Sequence, residues 1–171
     1  ISVILRHNCL IFLFLLMEVL LMASNRTIVL KGNGMYLEGL ITAVAVPPGT
    51  LMERVAGAAT FRAQSVAEAA GTYPEKLIAI ENSLVGDETG TSWTASTNIQ
   101  MYKAQSGDIV QLKLEDGQAA TIGAAMTANG TNGTLKTRDT GTNPPFAYAL
   151  EAVDALSDNA SLDLLVKCVI V

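Results

Sequence analysis

Few side chains in this sequence have the chemistry of a catalyst, and their spacing keeps them apart. Acid–base work at a bond needs two carboxyls that converge across a cleft. The adjacent acidic pairs, Asp87 with Glu88 and Glu115 with Asp116, sit in turn-like contexts. Sequence neighbours point in different directions on a strand, so both pairs read as solvated loop charges. The sole histidine, His7, lies in an apolar leader. A body without that leader has no imidazole to activate a nucleophile, carry a proton or hold a metal. Cys9 is in the leader too, and Cys168 lies in the apolar C-terminal run, which makes neither a zinc-ligand spacing nor a disulfide framework. Cys168 reads as a buried small hydrophobe. The expectation is a protein that is not an enzyme, with no catalytic residue, no metal site and no cofactor.

What remains is strands and turns. From Asp108 to Gly123 the chain predicts a β-hairpin. Val110, Leu112 and Leu114 alternate with Gln111, Lys113 and Glu115, giving one apolar and one polar face. Asp116-Gly117 then suits a tight reversal, because such turns need positive φ and Asp and Gly tolerate it best. Upstream, Thr27 to Lys31 is a first strand ended by Gly32-Asn33-Gly34, and Met35 to Val46 is a long apolar segment closed by Pro47-Pro48-Gly49, which cannot continue a ladder. Leu51 to Val55 alternates weakly. Ala63 to Ala70 has the length for about two turns of helix. Gly71 and Pro74 follow it, so a loop fits equally. Lys76 to Glu81 reads as a buried strand, Asn98 to Lys103 as another, Asn129-Gly130 with Asn132-Gly133 as a turn cluster, and Phe146 to Val153 and Leu162 to Val171 as the last strands. No repeat of fixed period stands out. The predicted fold is all-β: a compact β-sandwich or barrel-like domain of short antiparallel strands with Gly, Asn and Pro turns and at most one short helix.

Composition narrows the partners. A chain of 171 residues is enough for one domain with a real core. Charged residues make up 16% and apolar ones 50%, against roughly 25% charged in an ordinary soluble domain, so part of the surface is not built to face water. A net charge of −5, 5% aromatic residues and one Trp argue against nucleic acid, which needs a basic stripe with stacking rings.

Cys9 to Met17 is a continuous apolar run, Glu18 interrupts it, and Val19 to Ala23 completes it. A spanning helix takes about 20 apolar residues without a central charge, so this is a poor span and no membrane is expected. Glu18 and the ending Met22-Ala23-Ser24-Asn25 also make a poor signal peptide, despite Arg6 and His7. The codons for Met17-Glu18-Val19 can spell the purine-rich GGAGGT of a bacterial ribosome-binding site, followed by two Leu codons and Met22. Translation is therefore expected to start at Met22, with 1–21 as upstream sequence and 22–171 as a single β-rich domain.

The C-terminal strand is apolar on both faces. Leu162, Leu164, Val166, Cys168 and Ile170 share one, while Asp163 and Lys167 share the other with Leu165, Val169 and Val171. Such a strand must be covered twice. It is either the central strand of a two-layer sandwich or a subunit interface, since an obligate interface resembles a core cut in half. Leu165, Val169 and Val171 are the candidate interface residues.

Four segments occur in a telling order: Ala79-Ile80-Glu81-Asn82-Ser83-Leu84 with Gly86, then Ser106-Gly107-Asp108-Ile109-Val110, then Asn132-Gly133-Thr134-Leu135, then Ala149-Leu150-Glu151-Ala152-Val153-Asp154 ahead of a last apolar strand. In that order they resemble the small head decoration, or cement, proteins of tailed bacteriophages, over roughly Met22 to Val171. Each segment alone is only strand-and-turn grammar. The resemblance implies an all-β body, often trimeric, made in the host bacterial cytoplasm and carried on the outer capsid surface of the virion. Its partners would be the major capsid protein and further copies of itself. Gly86 to Ser96, rich in Gly, Thr and Ser and holding Trp93, departs from the pattern as an insertion-like stretch. Ala23, Ser24, Asn25, Arg26 and Thr27, polar and next to the first strand, are candidate capsid contacts, with a frayed terminus as the alternative.

Two other functions share the same grammar. A tail or fibre component would use a similar β architecture. A secreted adhesin follows if the leader is a true signal, and the sequons at Asn25, Asn129, Asn132 and Asn159 would then be glycosylation acceptors.

Overall fold

A computed structural model describes residues 27–42, 44–65, 75–84, 89–130, 132–138, 144–154 and 164–171. The leader, Ala23 to Arg26, the Ala63 to Ala70 stretch beyond Ser65 and the Asp87-Glu88 pair lie outside them. Every regular element among the described residues is a strand, as short alternating runs between turn residues require. In chain order these are β1 (Val29–Lys31), β2 (Met35–Ile41), β3 (Leu51–Arg54), β4 (Thr60–Ala63), β5 (Leu77–Ala79), β6 (Asn98–Lys103), β7 (Ile109–Lys113), β8 (Ala119–Ala120), β9 (Ala125–Ala128), β10 (Leu135–Thr137), β11 (Ala147–Ala149), β12 (Val153–Asp154) and β13 (Leu165–Ile170).

They build two layers. One is a six-stranded antiparallel sheet in the order β1-β7-β13-β11-β9-β10; the other is a closed barrel of β2-β4-β3-β5-β6, antiparallel except for β2 with β4. β8 and β12 form a separate two-stranded ribbon. The all-β, sandwich-like architecture is the one the strand and turn pattern predicts. Phe61, Ile99 and Met101 help fill the barrel, while Val110, Leu112, Val166, Cys168 and Ile170 pack from the sheet onto the barrel's outer wall at Leu51, Ile78, Ile80 and Tyr102. β5 serves both cores. Leu77 and Ala79 point into the barrel and Ile78 into the space between the layers, so three consecutive residues are buried. That double burial is why Lys76 to Glu81 carries a continuous apolar run rather than an alternating one.

A buried polar knot locks the layers together. Asp108, which leads into β7, is 4% exposed. Its carboxylate accepts hydrogen bonds from the Asn33 N–H at 2.9 Å, the Gln105 N–H at 2.8 Å and the Tyr102 hydroxyl of β6 at 2.7 Å. The Tyr102 oxygen in turn accepts the Gly34 N–H at 2.6 Å. Burial alone would raise the Asp108 pKa, but donors from Gln105, Tyr102, Asn33 and Gly34 outweigh it and hold the carboxyl below its usual range. Burial, reinforced by Asp108, pushes the Tyr102 phenol up to about 12. The β1–β2 turn can come this close only because a Cβ at Gly32 or Gly34 would collide with the Tyr102 ring and hydroxyl.

The Asp108 to Gly123 hairpin is corrected by the structure. Its turn forms, with Gly117 at φ 76° and the Gln118 N–H donating to the Glu115 carbonyl at 3.1 Å, but its arms do not pair. β7 lies between β1 and β13, and β8 pairs with β12. A strand with Val110, Leu112 and Leu114 gains most from an interior place in the sheet, which the short Ala119-Ala120 arm cannot supply. The polar face of β7 is covered as well: Gln111 and Lys113 are 6% and 9% exposed. The true hairpin is β9–β10, closed by the Asn129 to Gly133 turn cluster, where Asn132 and Gly133 have φ of 53° and 67°. Phe146 to Val153 is not one strand either. It bends at Leu150-Glu151, so that β11 stays in the sheet and β12 leaves to meet β8.

Candidate interaction surfaces

Cys168 and the Glu115-Asp116 pair lie on different elements, β13 and the turn that follows β7. Cys168 is fully buried, and burial followed by the Glu151 charge pushes its thiol up to about 12, so the reactive thiolate is suppressed. Glu115 accepts a hydrogen bond from the Asn129 amide, and neighbouring Asp116 is exposed. No group of three or more His, Cys, Asp or Glu that could hold a metal ion occurs among the described residues. No helix among them is long and apolar enough to cross a membrane.

Two surfaces stand out instead. The first is the outer face of the six-stranded sheet. β13 places Val166, Cys168 and Ile170 in the core and Leu165, Lys167 and Val169 on the opposite side, all three half-buried. Register aligns Ile109 of β7, Val169 of β13, Tyr148 of β11 and Ala125 of β9 in one row across four strands. Tyr148 is 40% exposed, and the other three are half-buried. The row is therefore an apolar stripe, partly open to solvent and most exposed at Tyr148, although Gln111 and Lys113 on the same face of β7 are covered; it is ended by Lys31, the register partner of Ile109 on β1.

The three candidate interface residues do not have equal standing on that face. Val169 lies at the centre of the stripe. Leu165 packs against the interior cluster and lies close to Gly49, so it belongs partly to the core. Val171, 41% exposed, follows the strand, with its N–H donating to the Phe146 carbonyl and its own carbonyl accepting from the Lys76 ammonium. Tyr148 and Ile109 were missed from sequence because they reach the stripe by register across different strands.

The second surface is the part of the barrel wall that continues past the sheet. Here Tyr36 pairs with Tyr102, Glu38 with Gln100 and Leu40 with Asn98 across β2 and β6. Tyr102 is covered by the sheet, whereas Tyr36 is 66% and Leu40 42% exposed. Two shallow clefts adjoin on this wall. One, of about 410 Å³, is lined by Tyr36, Leu37, Glu38, Ile80, Ser83 and Gln100. The other, of about 350 Å³, is lined by Asn82, Thr91, Ser92, Trp93, Thr94, Thr97 and Asn98. Trp93, in the insertion-like stretch, exchanges backbone hydrogen bonds with Val46, and its indole N–H donates to the Ile80 carbonyl at 2.7 Å. A turn with Ser96 at φ 58° and Thr97 bonded back to the Thr94 carbonyl leads into Asn98. Thr27, the described member of the candidate capsid contacts, is tied down beside this wall: its hydroxyl donates to Glu81 at 2.5 Å, and the Ile28 N–H donates to the same carboxylate at 2.9 Å.

The four ordered segments each supply a tie between elements. Glu81 holds the start of β1, Asp108 forms the knot with β6, Gly133 exchanges backbone bonds with Leu51 and Gln64 of the barrel side, and Glu151 accepts the Lys167 N–H of β13 at 2.8 Å.

No protein-family model matches the chain, and no curated protein matches it. Among solved structures the chain is similar to the N base of head fiber gp8.5 in bacteriophage phi29, at 13% identity, with 81% of this chain and 95% of that chain covered and a TM-score of 0.49. At that identity and score the likeness carries no argument about what this chain does.

Proposed function

We propose that the chain is a non-enzymatic structural protein that binds the outer surface of an assembled bacteriophage capsid and stabilises the shell. The observation that carries the proposal is the order of the four segments that resemble head decoration proteins, joined to their placement: each lies at a joint between elements of this fold. That placement supports a resemblance of fold-determining positions rather than of local turn grammar. The role needs no chemistry. It needs a stiff scaffold, an oligomer that matches local capsid symmetry, and a protein that binds only the assembled lattice and so stabilises it by mass action. The apolar stripe through Val169 is the proposed contact between copies, with a trimer favoured.

The test is an asymmetry. Purified protein should co-sediment with expanded capsids of its cognate phage and not with unassembled capsid protein, because a site spanning several shell subunits exists only after assembly. Capsids lacking it should release DNA at lower temperature, and adding the protein back should restore the release temperature. Equal binding to unassembled capsid protein, or no binding to capsids, overturns the proposal.

A further inference from the structure

We infer that the barrel wall running from Tyr36 to Trp93 is a binding groove for a neutral oligosaccharide. A sugar ring presents one face of C–H groups and a rim of hydroxyls that both donate and accept hydrogen bonds. Aromatic carbon surface suits the face. Side-chain amides, with a donor and an acceptor side by side, suit pairs of neighbouring hydroxyls. Both features recur along this wall. One cleft combines Tyr36 with Gln100, and the adjoining one combines Trp93 with Asn82 and Asn98. The indole N–H of Trp93 is already spent on the Ile80 carbonyl and one part of the ring packs against the barrel cluster, which fixes the ring and leaves the half-exposed remainder of its carbon surface to offer. The amides of Asn82, Asn98 and Gln100 make no hydrogen bond to another side chain or backbone group among the described residues, so they are available to a ligand. Asn98 and Gln100 project from the same face of β6 two residues apart, about 7 Å along the strand, which suits successive units of a sugar chain rather than one monosaccharide.

The lining argues against other ligand classes. No Lys or Arg is among the described lining residues, and Glu38 is the one charged side chain there. Phosphate groups and nucleic acid would find no counter-charge. The centre of a protein–protein contact is mostly apolar and aromatic, whereas six of the seven residues lining the second cleft, all but Trp93 itself, are Asn, Ser or Thr.

Trp93 is the only tryptophan of the chain, so its emission reports on the groove directly. The full chain would be titrated with maltohexaose, cellohexaose, chitohexaose and a galactan oligomer. At least one should change Trp93 fluorescence saturably, and Asn98→Ala and Gln100→Ala should each weaken that binding about tenfold, the size of one lost hydrogen bond. Asn98 is exposed and Gln100 half-buried at the surface, and an unchanged melting temperature would show that the variants are folded. Failure of all four oligosaccharides to give a saturable signal at millimolar concentration overturns the inference. So does binding that survives both substitutions, or a preference for sulfated over neutral forms. The outcome is independent of the capsid proposal: a protein that ignores capsids can still pass this test, and one that binds capsids can still fail it.

Discussion

Asp108 is a buried polar tie between the two layers. Its carboxylate collects donors from the β1–β2 turn, from the loop ahead of β7 and from Tyr102 on the barrel. Replacing it by Asn keeps the shape but removes the charge and turns one acceptor into a donor facing donors. Asp108→Asn should cost about 2–3 kcal/mol in chemical denaturation at neutral pH, since hydrogen bonds to a buried charge are the stronger kind. The pH dependence has a definite sign. A carboxyl whose folded pKa lies below its unfolded value contributes stability that is present above the ordinary carboxylate range and lost as pH falls through the lowered folded value. The wild type should therefore lose stability on that acid limb, and Asp108→Asn should flatten it. An equally steep limb in the variant would assign the acid sensitivity to other carboxylates.

β13 answers at the scale of an element what its composition left open. The strand is interior to the sheet, between β7 and β11, and it is also half-open on one side. The two faces therefore predict different responses to the same substitution. Val166→Asp places an unpaired charge in the core and should unfold the domain or cost several kcal/mol. Val169→Asp, in the stripe with Ile109 and Tyr148, should leave circular dichroism and melting nearly unchanged while splitting any oligomer. Leu165→Asp should fall nearer the first outcome, because Leu165 packs against the interior. If Val169→Asp unfolds the protein as Val166→Asp does, the stripe is a core surface and not an interface.

The described residues form a double-layered β body with several large apolar side chains exposed, among them Met35, Tyr36 and Tyr148, and the chain as a whole has few charged residues. Contiguous apolar surface, such as the row through Val169 and Tyr148, is the kind that marks an interaction site. Light scattering on the purified protein should give about three times the subunit mass if the stripe joins copies in the trimer that the resemblance to head decoration proteins implies. A monomer at micromolar concentration would remove the stripe from consideration as a self-contact and leave the capsid as its only proposed partner.

Local chemistry settled the class of the fold and most strand positions, because period-two alternation and Gly, Asn and Pro punctuation act over a few residues. Asn98 to Lys103 and the Asn129 to Gly133 turn are where the sequence places them. The burial of Cys168 was legible for the same reason. Strand partners were not. The Asp116-Gly117 turn forms, yet whether its arms pair depends on which long-range neighbour buries more apolar surface, and the answer lay in residues far away in sequence, β1 and β13. The parallel pairing of β2 with β4, which closes the barrel, has no local signature either. Both candidate surfaces are products of that pairing: the stripe is a row drawn across four strands, and the groove joins β2 and β6 to the Trp93 stretch. Each of those segments alone looks like half of an ordinary strand or loop. Only the closed tertiary arrangement decides which of their side chains stand together at the surface.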